Sequence, residues 1–88
     1  MTFDASRVYR LSPAVTLRPE PFGALAYHFG QRRLTYLADG DLVEVVTALA
    51  TQPSATAAMA AVNVADSRRP VLERALDSLV RRGVLDAG

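Results

Sequence analysis

The chain has 88 residues, half of them hydrophobic and 22% charged, with a formal net charge of +1. This size predicts one small domain with a modest core. Cysteine and lysine are absent and histidine occurs once, which excludes disulfides, cysteine-based metal sites, cysteine nucleophiles and catalytic or phosphate-binding lysines. We therefore expect no enzyme, no metal and no cofactor, and the balanced charge indicates neither nucleic acid nor a membrane as a partner.

The chain divides into two halves with different patterns. We expect an irregular arm over residues 1–13, a sheet over residues 14–38 and three helices over residues 41–83, all in one domain spanning residues 1–88. Strands followed by helices, rather than alternating with them, are typical of an α+β fold with an antiparallel sheet. The sequence has no secretory signal and no apolar run of the roughly 20 residues that span a membrane, so it predicts a cytoplasmic protein.

The first half begins with weak strand signals. Val8, Tyr9 and Leu11 are expected to anchor the arm. A strand over Val15–Arg18 follows, with alternating apolar and polar residues. It is expected to end at Pro19–Pro21, where two prolines remove backbone donors.

The clearest signal is a hairpin of two strands, Ala24–Phe29 and Arg32–Leu37, separated by Gly30 and Gln31. A two-residue loop with glycine first is typical of a type II′ turn, because that position needs a positive φ. The turn sets the cross-strand pairs, which are Leu25 with Tyr36, Tyr27 with Leu34, Ala26 with Thr35 and His28 with Arg33. The first two pairs put aromatic and aliphatic side chains on one face, which we expect to pack, and the His28 face is expected to be solvated.

The second half carries helix signals. A capping box of Asp41 and Glu44 predicts the start of the first helix. Its core stripe has helical spacing and consists of Leu42, Val45, Val46 and Leu49. Pro53 ends this helix, and Ser54 is expected to cap a short second helix over residues 55–62.

The third helix is expected to begin near Ser67, to carry Pro70 in its first turn and to end at Gly83. Its core stripe is Leu72, Leu76 and Leu79. The flank of that stripe combines apolar, small and cationic side chains: Val71, Ala75, Ser78 and Arg82, with Arg74 and Arg81 beyond them. Two interpretations remain open for this flank, namely packing on a second neighbour and a shallow groove with an arginine rim.

The strand Arg32–Leu37 is expected to be an open edge of the sheet. If the strands follow chain order, this strand has one neighbour, and no proline occurs between residues 31 and 52 to prevent further pairing. An extended peptide can add to such an edge through its backbone, and the flank of the third helix can supply side-chain pockets. Arg32 and Arg33 favour an acidic peptide, or else serve as solvated charges that discourage aggregation. Two copies of the chain could also pair here as a homodimer.

Three segments of the first half together carry a resemblance: YRLSP at Tyr9–Pro13, RPEPFGALAYHFG at Arg18–Gly30 and RRLTYL at Arg32–Leu37. With these segments the chain resembles the mycofactocin biosynthesis chaperones (MftB), a family of small PqqD-like proteins. The resemblance covers essentially the whole chain. The stretch Arg18–Leu37 is specific to this family, whereas the helical half, including RRGVL at Arg81–Leu85, is common to PqqD-like domains.

The resemblance implies a winged-helix-like PqqD-type domain, a RiPP recognition element with a three-stranded antiparallel sheet followed by three helices. Such a domain is a non-catalytic peptide chaperone. It binds the leader of a ribosomally made precursor peptide and presents it to a radical-SAM maturase. The leader adds to the third strand and lies against the third helix, which corresponds here to Arg32, Arg33, Leu34, Thr35, Tyr36, Leu37, Val71, Ala75, Ser78 and Arg82.

Another interpretation is a winged-helix DNA-binding module. Five arginines near or on the third helix would then contact phosphates: Arg68, Arg69, Arg74, Arg81 and Arg82. Against this interpretation, Glu73 and Asp77 are expected on the exposed side of the helix, and a net charge of +1 is low for binding duplex DNA.

An enzyme would depend on His28 with Glu20 or Asp39. The predicted register puts His28 on the polar side of the hairpin, which favours a solvated histidine. Glu20 lies between two prolines, which favours a role in the turn. Asp39 and Asp41 do not continue into an EF-hand pattern, and helix capping accounts for both.

Overall fold

A computed structural model describes residues 3–21 and 23–87. Four residues lie outside the described part of the chain. Residues 1 and 2 belong to the predicted arm, residue 22 to the stretch of resemblance, and residue 88 to the end of the predicted domain. The elements in chain order are β1 (Tyr9–Leu11), β2 (Val15–Glu20), β3 (Gly23–His28), β4 (Arg33–Leu37), α1 (Gly40–Ala48), α2 (Ala55–Ala61), a 3₁₀ turn (Asp66–Arg68), α3 (Arg69–Arg81) and β5 (Leu85–Ala87). The predicted α+β fold, with a three-stranded antiparallel sheet followed by three helices, is confirmed.

The main sheet has the strand order β2–β3–β4, and the predicted hairpin register is confirmed at every pair from Leu25 with Tyr36 to His28 with Arg33. The predicted two-residue turn is wrong, because the strands close at His28 and Arg33 and leave a four-residue loop. Arg32, with φ of 52°, takes the left-handed conformation in place of Gly30. A Cβ at position 30 would lie 3.2 Å from the His28 ring, so the glycine leaves room for that ring.

The sheet buries the face opposite to the one predicted. Ala24, Ala26 and Leu37 are at most 1% exposed, whereas Leu34 and Tyr36 are 61% and 53% exposed. The expectation that the aromatic and aliphatic face packs is therefore wrong. α1 contacts β3 and β4, and the small alanine side chains lie on the buried face of the sheet, whereas Leu34 and Tyr36 lie on the exposed face.

The predicted irregular arm is also wrong in part. Its residues Tyr9–Leu11 form β1, which pairs antiparallel with β5. Tyr9 anchors the arm as predicted: it is 3% exposed, its ring stacks on Phe3 at 4.8 Å, and its hydroxyl accepts a hydrogen bond from the Asp4 N–H at 2.9 Å. The two ends of the described chain are thus held together in a second, two-stranded sheet.

The strand β2 runs to Glu20, two residues beyond its predicted end. Pro19 is compatible with this position, because β2 lies at the outer side of the sheet and needs no donor there.

The helices begin and end close to the predicted residues. The α1 cap is Asp39 rather than Asp41, since its Oδ1 accepts the Asp41 N–H at 2.9 Å. Ser54 caps α2 as predicted, its Oγ accepting the Ala57 N–H at 3.0 Å. α3 ends at Arg81 with Arg82 as its C-cap, two residues before the predicted end, and Gly83 follows with φ of 78°. The Gly83 N–H donates to the Val80 carbonyl at 3.1 Å, and the Val84 N–H donates to the Leu79 carbonyl at 2.9 Å. These two hydrogen bonds form a Schellman motif.

The predicted helical stripes form the core. The stripe of the first helix, Leu42, Val45, Val46 and the C-cap Leu49, is buried, as is the α3 stripe of Leu72, Leu76 and Leu79. Across residues 3–21 and 23–87, none of the helices has the length and apolar character needed to cross a membrane.

Candidate functional site: the open edge of β4 beside helix α3

The strand β4 is an open edge of the main sheet. Among the described residues its one strand neighbour is β3, and the N-terminal arm pairs with β5 rather than with β4. A strand in this position has a row of backbone donors and acceptors without strand partners.

The hydrogen-bond pattern identifies which residues of β4 face the open side. The Phe29 N–H donates to the Ala14 carbonyl at 2.8 Å, continuing the β2–β3 ladder. Successive residues of a strand direct their backbone groups to opposite sides, so Ala24, Ala26 and His28 of β3 face β4. Their partners on β4 are Leu37, Thr35 and Arg33. Leu34 and Tyr36 therefore direct both N–H and C=O groups outward.

A groove of about 280 Å³ lies between this edge and α3. Its lining contains seven of the ten residues predicted to bind a peptide: Leu34, Thr35, Tyr36, Leu37, Ala75, Ser78 and Arg82. Leu42 and Leu79 complete the lining. Leu37, Leu42 and Leu79 are almost fully buried and form an apolar floor, so the groove suits an extended chain with apolar side chains.

Polar groups are placed at the margins of the groove. Thr35 and Ser78 contribute hydroxyl groups, and Arg82 lies just beyond the last turn of α3. The Arg82 guanidinium is exposed and makes no ion pair with the described residues. A carboxylate on a bound chain could reach this cation without displacing an internal partner.

Three predicted residues lie outside the lining of the groove. Arg32 and Arg33 are exposed at the tip of the hairpin, and Val71 is 48% exposed one turn before Ala75 on α3. The floor residues Leu42 and Leu79 were expected only as core, because both belong to helical stripes. A sequence pattern shows that such a residue is buried, but not that it lies beneath an opening.

The arginines of the DNA-binding interpretation are largely occupied. Arg68 bonds to Asp39 and lies 3.4 Å from Asp41, and Arg69 lies 3.5 Å from Asp66. Arg81 pairs with Asp77 one turn away, and the hydrogen bond from Arg81 to this carboxylate raises the pKa of the guanidinium. These pairs leave no continuous cationic face on the helix, which disfavours a duplex as partner.

The residues of the enzyme interpretation have structural partners. The His28 Nδ1 accepts the Gln31 N–H at 3.1 Å, which stabilises the hairpin loop. Glu20 lies 3.8 Å from Arg18, and Asp39 caps α1. Within the described residues no group of three or more metal-ligating side chains occurs.

Comparison with known proteins agrees with this geometry. The family model described as the peptide chaperone MftB family matches residues 8–86. The chain belongs to the peptide chaperone MftB family. The resemblance drawn from the residues is therefore confirmed, and the chain is a peptide chaperone rather than an enzyme.

Three proteins named peptide chaperone MftB are similar to this chain. The protein of Mycolicibacterium smegmatis is 46% identical over 88 residues, which is 100% of this chain and 86% of that protein. The protein of Mycobacterium ulcerans is 44% identical over 77 residues (88% and 71%), and that of Mycobacterium tuberculosis is 41% identical over 83 residues (94% and 76%). No solved structure matches the chain.

Proposed function

We propose that this member of the peptide chaperone MftB family binds the leader of a ribosomally made precursor peptide by strand addition to β4, and presents it to the radical-SAM maturase of mycofactocin biosynthesis in the cytoplasm. The observation that carries the proposal is the open edge of β4 beside a groove with an apolar floor and polar margins. Membership of a family of peptide chaperones supports a peptide as the ligand.

Backbone pairing supplies only part of the affinity. Leu34 and Tyr36 offer one N–H and one C=O each, so an added strand gains about four hydrogen bonds of about 0.5–1.5 kcal/mol each. Their sum is a few kcal/mol, whereas a micromolar complex requires about 8 kcal/mol. The remainder has to come from side chains that enter the groove.

The groove therefore defines the kind of leader that fits. Alternate residues of an added strand point towards α3, where the floor of Leu37, Leu42 and Leu79 favours apolar side chains. Ala75 leaves room for them, since it presents a single methyl group. Arg82 at the margin favours a carboxylate near one end of the bound segment.

The experiment is a titration of the protein with the synthetic leader of the mycofactocin precursor, followed by amide NMR. We expect shifts concentrated in β4 and on the side of α3 that carries Ala75, Ser78 and Arg82. A saturable complex whose shifts lie on the far side of the molecule, for example along α2, would show that the site is elsewhere.

The open edge also leads us to propose that any homodimer formed through β4 competes with the leader. The leader and a second copy of the chain would both pair with the backbone groups of Leu34 and Tyr36. Sedimentation velocity with and without a saturating leader tests this, with the monomer expected in its presence. A leader-bound dimer would place the dimer interface on another surface.

A further inference from the structure

The groove beside β4 has two walls that belong to distant parts of the chain. One wall is the edge of β4, and the other is the side of α3 that carries Ala75, Ser78 and Arg82. β4 and α3 each contact α1, and Leu42 of α1 lies in the floor between them. The width of the groove therefore depends on how α3 is held relative to the segment that joins β4 to α1.

At the end of the groove near the hairpin loop, close packing holds the two walls together. Gly83 follows Arg82 at the end of α3, and a Cβ on it would lie 3.1 Å from the Gln31 side-chain nitrogen and 3.6 Å from the His28 ring. The His28 Nδ1 accepts the Gln31 N–H at 3.1 Å, so the loop itself is held in this position. The loop between β3 and β4 thus rests directly on the end of α3.

At the opposite end of the groove, one arginine joins the two walls. Arg68 is the last residue of the 3₁₀ turn and directly precedes α3. Its guanidinium donates a hydrogen bond to the Asp39 carboxylate, and its Nε lies 3.4 Å from an oxygen of Asp41. Asp39 and Asp41 lie in the segment between Leu37 and Leu42, both of which line the groove. Arg68 therefore connects the start of α3 with the end of β4.

The ion pairs of Arg68 differ from the others in their reach along the chain. Arg69 lies 3.5 Å from Asp66, three residues earlier, and Arg81 pairs with Asp77 one turn away. Of the ion pairs within residues 3–21 and 23–87, those of Arg68 alone join residues far apart in the chain. A local pair stabilises one segment, whereas the pairs of Arg68 fix two segments relative to each other.

Asp39 serves both segments with its two carboxylate oxygens. Its Oδ1 accepts the Asp41 N–H at 2.9 Å and so caps α1, and its Oδ2 accepts the hydrogen bond from Arg68. The three side chains are partly exposed, and ion pairs at such positions contribute little to overall stability. The effect of Arg68 is therefore expected mainly in the position of α3 and only weakly in the melting temperature.

We propose that Arg68 is a positioning residue for leader binding, because its ion pairs with Asp39 and Asp41 hold α3 at the separation from β4 that fits an added strand. Arg68 does not line the groove, so it acts on the leader through α3. This inference rests on the proposed function and adds a residue outside the groove that controls it. A wall that is held in place before binding does not have to be ordered during binding, which raises the affinity. Because packing holds the hairpin end, loss of Arg68 loosens the groove at the Leu37 end.

The test uses Arg68→Gln, which removes the charge and keeps a polar side chain. Arg69→Gln is the matched control, since it removes the neighbouring arginine, whose ion pair is local. The affinity for the synthetic leader of the mycofactocin precursor is measured by fluorescence anisotropy well below the melting temperature of each variant, so that a change in stability does not alter the result. Amide NMR spectra of the leader-free variants report the position of the walls.

We expect Arg68→Gln to weaken leader binding about fivefold and Arg69→Gln to leave it within about twofold. In the leader-free spectra we expect Arg68→Gln, but not Arg69→Gln, to shift the amides of Tyr36 and Leu37. Equal leader affinities of the two variants, or shifts confined to the 3₁₀ turn and the first turn of α3, would overturn the inference and leave the proposed function standing. Absence of leader binding by the unmodified protein would instead remove the proposed function, and with it the role of Arg68.

A double-mutant cycle approaches the same contact from its other side. Asp39→Asn removes the negative charge and keeps a side-chain oxygen that can cap α1, because asparagine and aspartate are comparable helix caps. If the ion pair positions α3, the double variant Asp39→Asn with Arg68→Gln binds the leader no more weakly than Arg68→Gln alone. Fully additive losses would mean that the two residues act separately, which would contradict the inference.

Discussion

The most direct test of strand addition is Leu34→Pro. The Leu34 N–H faces the open edge, because backbone groups alternate sides along the strands and the Phe29–Ala14 hydrogen bond fixes which side each residue faces. Proline at this position therefore removes no hydrogen bond to β3. Edge strands tolerate proline at such positions. The fold is therefore expected to survive, while the ring occupies the space where an added strand would approach.

The expected loss is about 30-fold in leader affinity. Proline removes one hydrogen bond and displaces its neighbour, and two bonds of about 1 kcal/mol each amount to about 2 kcal/mol. Fluorescence anisotropy with a labelled leader measures this change. Leu34→Ala is the matched control, because it removes the same side chain and keeps the N–H, and we expect it to bind more tightly than the proline variant.

A second control separates the open side of β4 from the paired side. Thr35 faces β3, so Thr35→Pro breaks the hairpin ladder and lowers the melting temperature, whereas Thr35→Ala leaves leader binding nearly unchanged. A Leu34→Pro protein that melts normally and binds the leader within threefold of the unmodified protein would refute strand addition at β4.

Three further changes test the groove and the fold. Ala75→Glu puts a carboxylate beside the apolar floor of the groove and is expected to weaken leader binding about tenfold or more in the same assay. Arg74→Glu, on the exposed side of α3, is expected to have little effect. Equal effects of the two substitutions would argue against the groove. Arg82→Gln is expected to reduce both the affinity and its salt dependence, and an unchanged salt dependence would mean that Arg82 meets no carboxylate. Leu85→Ala removes a buried side chain of β5, so we expect chemical denaturation to show a loss of about 2–5 kcal/mol, and a loss below 1 kcal/mol would contradict a structural role for the β1–β5 pair.

The hairpin shows what local patterns specify and what they leave open. Its register agrees with the prediction although the turn does not, because the observed four-residue loop has the same centre as the predicted two-residue turn and leaves the cross-strand pairs unchanged. The buried face was predicted wrongly because the pattern was judged by size and polarity alone. Ala24 and Ala26 are core residues of a strand that contacts α1, and this contact arises only once the helices are in place.

The terminal strands and the floor of the groove illustrate a different limit. β1 and β5 have three residues each and pair across almost the whole chain, so neither has a local pattern of its own. Leu42 was correctly predicted to be buried, but its place beneath an opening depends on how α1 lies between β4 and α3. The open edge itself could be predicted, because it needs only the assumption that the strands pair in chain order together with the absence of proline between residues 31 and 52.

Strand geometry connects the open edge of β4 with the outer face of the main sheet, which is the face opposite to the helices. Alternate residues of a strand direct their backbone N–H and C=O groups to the same side, and their side chains lie on the same face of the sheet. In β4 this forces Leu34 and Tyr36 to present free backbone groups at the edge and exposed side chains on the outer face. A ligand that pairs with these residues therefore necessarily adds its own alternate side chains to that face. A substitution at Leu34 or Tyr36 therefore changes both the edge at which the leader is proposed to pair and the exposed face of the sheet.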